Sequence, residues 1–194
     1  TVTYDLENAF ISGGAGNDTL VIKQAVAAII DLNNSMSQVA GAGHISNFEN
    51  IDGDTSTAAL SITGDNNANI IKGGSGNDII DGGAGADTIS GGAGNDVITY
   101  DAVDLSIDGG AGVDTLVYNG GSSISVDLNN AANQFGGGAI VTGFESIDAS
   151  AATGILSLTG DDNDNTLKGG YAADTIFGGA GNDTITYDGH DVII

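Results

Sequence analysis

The sequence predicts an all-β chain wound as a parallel β-roll or β-solenoid, and three observations predict it. A Gly-Gly-x-Gly-x-Asp string recurs along the chain, and consecutive copies step by nine residues. An aliphatic residue follows each string at a fixed place. The acids are almost all Asp, with Glu only at Glu7, Glu49 and Glu145. An acidic helix would use Glu freely, because Glu favours helix and Asp does not.

The repeat is the first element to justify. Copies stand at residues 13–18, 73–78, 82–87, 91–96, 109–114 and 178–183, with a worn copy, GGYAAD, at 169–174. Residues 100–108 keep the nine-residue register without the glycines. Each Asp is followed by three residues whose middle member is aliphatic: Leu20, Ile80, Ile89, Ile98, Leu116, Ile176 and Ile185. Ile71, Ile107 and Leu167 hold the same place in glycine-poor units. A six-residue turn followed by a three-residue strand has one side chain pointing inward. Nine residues then make half a coil and eighteen a full one, with two strand ranks enclosing a thin aliphatic core.

A longer period overlies the first. Residues 1–63 match 97–159 at an offset of 96, pairing Phe48-Glu-Asn-Ile-Asp52 with Phe144-Glu-Ser-Ile-Asp148. The expected organisation is therefore a truncated repeat block at 1–21, a glycine-poor segment at 22–63, a block at 64–117, a second segment at 118–159 and a truncated block at 160–194. Strands are expected at Ala28–Leu32, His44–Ile51, Leu60–Thr63, Ile124–Leu128, Ala139–Ile147 and Ile155–Thr159. These read as wider coils continuing the solenoid, with a separate small β-domain as the alternative. Gln24–Leu32 is the one stretch with a helical alternative. Starting at Thr1 and stopping in mid-pattern at Ile194, the sequence reads as a piece of a longer protein.

Composition restricts partners. With 26 acids against 3 Lys+Arg, the formal charge is −23, leaving no basic surface for nucleic acid or anionic lipid. No apolar run reaches the ~18 residues that cross a bilayer, so membrane insertion is not expected. Cysteine is absent, so no disulfide staples the fold. Self-repulsion at this charge couples compaction to cation binding. Short carboxylates on tight turns suit hard divalent cations, and Ca²⁺ takes 6–8 oxygens at roughly 2.3–2.6 Å. One turn cannot supply that many; two turns stacked on the same edge can.

The candidate carboxylate ligands are Asp18, Asp78, Asp87, Asp96, Asp114, Asp174 and Asp183, with Asn69 and Asn165 at the same place in two turns. Candidate carbonyl ligands lie at turn positions one and three: Gly73, Ser75, Gly82, Ala84, Gly91, Ala93, Gly109, Ala111, Gly178 and Ala180. Same-edge partners are two repeats apart, which pairs the turns starting at 64 and 82, 73 and 91, 82 and 100, 91 and 109, and 160 and 178. The 73/91 and 91/109 pairs carry complete motifs. In the turn at 100, Leu105 stands at the acid position, so Asp104 or Asp101 must substitute.

These nonapeptides resemble the RTX (repeats-in-toxin) family, whose repeat binds calcium. The resemblance implies a right-handed parallel β-roll with several Ca²⁺ ions in its turns, and export through type I secretion to the cell surface or medium. The tandem modules resemble those of large exported adhesins and surface-layer-like proteins. The function so implied is a calcium-binding structural repeat, a stalk, spacer or adhesin segment, that is not an enzyme. Its partners would be calcium, neighbouring repeats, or a cell-surface glycan. The alternatives are the C-terminal calcium-binding part of an exported hydrolase and a glycan- or ice-binding module.

Other readings explain less. A flexible linker would not keep an aliphatic residue at every ninth place. An EF-hand beginning at Asp161 would have Thr166 where Gly is needed and Ala172 where Glu is needed. His44 and His190 are the only histidines and lie in no hydrolase motif. Ice binding wants flat ranks; Asn17, Asn77, Asn95 and Asn182 share turn position five, but Ala86 and Val113 interrupt them. Tyr4, Tyr100 and Tyr187 recur at matching places and suit stacked packing, and Lys72 and Lys168 suit outward positions beside acids.

Overall fold

A computed structural model of the chain describes residues 2–4, 10–23, 27–35, 37–39, 44–136 and 138–194. Among the described residues no helix forms, and every strand ladder is parallel. One seven-stranded sheet holds β1 (Val2–Tyr4), β3 (Thr19–Ile22), β6 (Asn50–Asp52), β8 (Ile70–Gly74), β10 (Thr88–Ala93), β12 (Ser106–Ala111) and β15 (Ile140–Thr142), in that order. A four-stranded sheet holds β14 (Ile124–Asp127), β17 (Leu156–Thr159), β19 (Thr175–Phe177) and β21 (Val192–Ile193). A pair joins β2 (Phe10–Ser12) to β5 (His44–Ser46). The eight-stranded sheet runs from β4 (Ala28–Asp31) through β7 (Leu60–Thr63), β9 (Ile79–Asp81), β11 (Val97–Tyr100), β13 (Thr115–Tyr118), β16 (Ser146–Asp148) and β18 (Thr166–Lys168) to β20 (Thr184–Thr186).

These four sheets are two faces of one roll. Between β14 and β15, Asp127 N donates to the Gln134 carbonyl and Gln134 N to the Val141 carbonyl. Gln38 makes the same two bonds between β4 and β5, to Asp31 and Ile45. A short antiparallel bridge, Ile30 with Val39 and Val126 with Phe135, thus carries each face across a gap in its parallel ladder.

Within the nonapeptide blocks the register is eighteen residues, with Ile71 opposite Ile89 opposite Ile107 on one face. Ile80, Ile98 and Leu116 stack likewise on the other. Those inward side chains are buried, each worth about 1.5–3 kcal/mol of apolar transfer. One inward residue per strand is too little for a coil to stand alone, so every coil depends on its neighbours. The glycine-poor segments widen the coil: Leu116 lies opposite Ile147, and Ile107 opposite Val141. The loss of the glycine code therefore does not interrupt the core.

Two expectations change. His44–Ile51 and Ala139–Ile147 are each two strands, not one, broken at Asn47 (φ 58°) and Gly143 (φ 73°). A three-residue corner there takes the chain from one face to the other. Of the stretch with a helical alternative, residues 24–26 lie outside the described residues, and Ala28–Asp31 is strand β4. Strands β10 and β12 also run six residues rather than three, because the stacked turns pair with each other at Gly92–Gly110 and Ala93–Ala111.

Successive modules are turned over. Leu20, Ile51 and Ile71 sit on the first face, whereas their counterparts Leu116, Ile147 and Leu167 sit on the second. Strands β4 and β5 share one face, so a module of 96 residues makes an odd number of crossings.

Candidate metal centre

Crossings between the faces stack as two columns of turns. One column contains turns 13–18, 47–49, 64–69, 82–87, 100–105, 169–174 and 187–191. The other contains 73–78, 91–96, 109–114, 143–145, 160–165 and 178–183. Glycine is needed because the turns nearly touch. Gly92 has φ +107°, and a Cβ there would meet the Gly74 carbonyl. A Cβ at Gly91 would meet the Gly109 carbonyl and lie 2.9 Å from Asp96 Cγ. The cradle is thus lined by backbone oxygens and a carboxylate.

A ladder of carboxylates climbs the second column. Asp78 Oδ1 accepts Leu60 N–H at 2.7 Å, Asp96 Oδ1 accepts Asp78 N–H at 2.8 Å, and Asp114 Oδ1 accepts Asp96 N–H at 2.7 Å. Glu145 continues it, with Oε2 accepting Asp114 N–H at 2.8 Å. In the first column Asp87 Oδ1 accepts Asn69 N–H at 2.8 Å. The second carboxylate oxygen of Asp78, Asp87, Asp96 and Asp114 is buried and accepts no hydrogen bond from the described residues. Burial pushes all four carboxyls above their ordinary value, Asp96 to about 6. A buried carboxylate without a partner is expensive, and a cation is the partner that would relieve it. The donor set, hard oxygens from carboxylates and peptide carbonyls, suits Ca²⁺. No group of three or more His, Cys, Asp or Glu forms among the described residues; each regular Gly-Gly-x-Gly-x-Asp turn brings one acid, and its remaining oxygens are carbonyls.

The repeat profile named RTX calcium-binding nonapeptide repeat matches residues 8–21, 63–98, 106–124 and 159–193, more than half of the chain. The chain belongs to the RTX repeat family. RTX repeats bind several Ca²⁺ ions, serve as structure rather than as catalysts, and occur in proteins exported by type I secretion. No curated protein matches the chain.

The roll brings the candidate RTX ligands together unequally. Asp78, Asp87, Asp96 and Asp114 are fully buried, each with one oxygen open. Asp174 is buried with both oxygens engaged, by Leu156 N–H and Gly170 N–H, each at 2.8 Å. Asp183 and Asp18 are half-buried, and Asp183 Oδ1 accepts Asn165 N–H at 3.0 Å. The carbonyls of Gly73, Gly82, Gly91, Gly109 and Gly178 lie over glycines of the preceding turn in their columns. The Ala111 carbonyl accepts Gly94 N–H at 2.9 Å.

Asn69 and Asn165 behave differently from the aspartates. Asn69 Nδ2 donates to the Glu49 carbonyl at 2.7 Å, and its Oδ1 accepts Asp65 N–H at 2.8 Å. Asn165 repeats this with the Glu145 carbonyl at 3.1 Å and Asp161 N–H at 2.7 Å. In these turns an amide donor faces the neighbouring carbonyl, so the column is closed by the chain itself.

Several contributors were not singled out by the repeat code. Glu49 Oε2 accepts Asp18 N–H at 2.8 Å, as Glu145 does for Asp114. Their signal was the Phe-Glu pair recurring at the 96-residue period. Asp104, rather than Asp101, takes the buried place in turn 100–105, and burial raises its carboxyl to about 7. Gln134 is buried, with Nε2 donating to the Phe144 and Leu128 carbonyls at 2.8 and 3.3 Å, and Oε1 accepting Phe144 N–H at 2.9 Å. Gln38 does the same for Phe48 and Leu32.

The remaining recurrent residues are structural. Lys72 pairs with Asp54 at 2.8 Å and Lys168 with Asp148 at 2.7 Å, on the outer surface. Tyr100 is buried against Phe135, with ring centroids 4.2 Å apart, whereas Tyr187 is exposed. Asn77 Oδ1 accepts Asn95 N–H and Asn95 Oδ1 accepts Val113 N–H, so position five ties turns together. His190 is exposed beside Asp188.

Proposed function

We propose that stacked Asp-bearing turns each hold a Ca²⁺ ion between them, most firmly at 73–78 with 91–96 and at 91–96 with 109–114. Asp78, Asp96 and Asp114 would supply carboxylates, and Gly73, Ser75, Gly91, Ala93, Gly109 and Ala111 the carbonyls. Asp87 with Gly82 and Ala84, and Asp183 with Gly178 and Ala180, would serve further turns; Asp18 and Asp174 would serve theirs. The single observation that supports this is the column of buried carboxylate oxygens with no donor among the described residues. The chain then works as a stalk or spacer of a large exported surface protein or adhesin, with 22–63 and 118–159 as calcium-free spacers between blocks 1–21, 64–117 and 160–194.

Folding follows from the charge. At −23 the chain resists compaction where calcium is scarce. Outside the cell each bound ion contributes RT ln(1+[L]/Kd), about 2.7 kcal/mol when calcium is a hundredfold above Kd. Circular dichroism of the whole chain, with calcium and with chelator, tests this. A β signal that appears with calcium and is lost on chelation is expected; a signal indifferent to chelator refutes the coupling.

A further inference from the structure

Turn 100–105 lies outside the residues that match the repeat profile, which stops at 98 and resumes at 106. It has no glycine and carries Leu105 where the motif has Asp. Even so, it stacks in register: Leu105 N–H and Ser106 N–H both bond the Asp87 carbonyl, at 2.9 and 3.3 Å. The acid has moved back one residue. Asp104 is 5% exposed, its Oδ2 accepts Asp101 N–H at 2.8 Å, and its Oδ1 has no donor among the described residues. Asp87, in the turn beneath, is 0% exposed and has an equally unpartnered Oδ2.

A related turn occurs again, with Gly189 at φ 94° where the first has Ala102. Tyr100-Asp-Ala-Val-Asp104 corresponds to Tyr187-Asp-Gly-His-Asp191. In both, the first Asp caps the N–H two residues on, Val103 at 2.8 Å and His190 at 2.8 Å. In both, the second Asp accepts the N–H of the first, the later pair at 3.1 Å. Asp191 Oδ1 also accepts Asp174 N–H at 3.0 Å, placing it on the ladder. A point one Cβ out from Gly169 lies 2.9 Å from Asp174 Oδ2 and 3.2 Å from Asp191 Oδ2, so the two carboxylates converge there.

We infer that Tyr-Asp-x-x-Asp is a second kind of calcium turn, built without the Gly-Gly-x-Gly run, and that Asp104 with Asp87, and Asp191 with Asp174, each take one Ca²⁺. The inference rests on calcium being held by the regular turns. Both sites set a cation between two stacked carboxylates, completed by carbonyls; Asp104 and Asp87 each keep an oxygen with no donor among the described residues, whereas Asp174 and Asp191 accept N–H bonds at both oxygens and would share them with the ion. The spacing shortens from six residues to five, and in both turns the second Asp accepts the N–H of the first across it, where the regular turn has its Gly-Gly-x-Gly run. One such turn lies inside the block at 64–117 and the other in the block at 160–194.

The test is a count of bound Ca²⁺ on the whole chain, by native mass spectrometry and by titration calorimetry, for the unaltered protein, Asp104→Asn, Asp191→Asn and the double variant. Each single variant is expected to bind one ion fewer and the double variant two fewer, with the calcium-induced β signal retained. If Asp104→Asn fails to fold in calcium, Asp191→Asn decides alone, because its turn lies beyond every other nonapeptide of the chain. An unchanged count in the folded variants overturns this inference and leaves the regular sites standing. An unaltered chain that binds no calcium overturns both.

Discussion

Replacing Asp96 by Asn should move stability in opposite directions with and without calcium. Asp96 is 1% exposed; Oδ1 takes Asp78 N–H at 2.8 Å and Oδ2 has no donor among the described residues. Burial, with Asp78 and Asp114 close by, raises its pKa from 3.8 to about 6. A carboxyl whose pKa is higher in the folded state stabilises the fold only while protonated, so its ionisation at pH 7.5 costs the metal-free roll about 3 kcal/mol. Asn cannot ionise and keeps the oxygen that accepts from Asp78. Its new amide can donate to a neighbouring carbonyl, as Asn69 Nδ2 does to Glu49. The chelated variant should therefore be the more stable by up to about 3 kcal/mol at pH 7.5, with the difference vanishing near pH 4. In calcium the order reverses. Asp96 faces both the 73–78 and 109–114 turns, so two sites weaken, each worth about 2.7 kcal/mol at a hundredfold excess over Kd. Osmolyte-induced folding in chelator, and urea unfolding in calcium, both followed by circular dichroism, give the two free energies. A chelated variant no more stable than the parent, or one that keeps the full calcium gain, would refute the reasoning.

Acid should replace calcium in part. Asp78, Asp87, Asp104, Asp114 and Glu145 are, like Asp96, raised by burial, so the stability they lend is complete below the unfolded value of about 4. It is lost as pH rises through about 6 for Asp96 and about 7 for Asp104. In chelator, β signal should therefore grow on lowering pH from 7 to 4; a flat profile would contradict it. Gln134→Ala should destabilise the calcium-loaded chain by about 3 kcal/mol or more, because it strands Phe144 N–H and two buried carbonyls. Urea unfolding measures that loss, and a change below about 1 kcal/mol would mean water replaces the amide.

The nonapeptide columns were legible in the sequence because their rule is local. Gly92 and Gly110 mark positive φ, Asp96 follows four residues after Gly92, and Ile98 follows Asp96 by two. A fixed eighteen-residue register then dictates that Ile98 meets Leu116. The wide coils were less legible. Whether His44–Ile51 is one strand or two depends on Asn47 reaching a left-handed conformation, which nothing adjacent in sequence requires. The role of Gln134 depends on Phe144, ten residues on, and on Leu128, six residues back. Asn69 is a candidate ligand in the sequence because it occupies the acid place. Only the position of the Glu49 carbonyl shows that an amide donor is useful there.

That difference separates two ways of closing the same column. Where a turn presents Asp, as at 78, 87, 96 and 114, one carboxylate oxygen accepts an N–H and the other is left beside the carbonyls of a neighbouring turn, a charge that a cation would relieve. Where it presents Asn, the amide supplies the positive end of a dipole to the neighbouring carbonyl. Asn69 and Asn165 both lie where a wide coil meets a nonapeptide block, and Glu49 and Glu145 tie those coils to Asp18 and Asp114. The wide coils thus carry hydrogen bonds that are complete without metal, and the blocks carry carboxylates that are not. Because the inward column of Ile and Leu runs through both, order in a wide coil gives the first nonapeptide a strand to pair with. In calcium each nonapeptide coil would then pair onto a strand already in place, at a register of eighteen residues, so that the ion holds a short closure and not one of the longer ones of the wide coils.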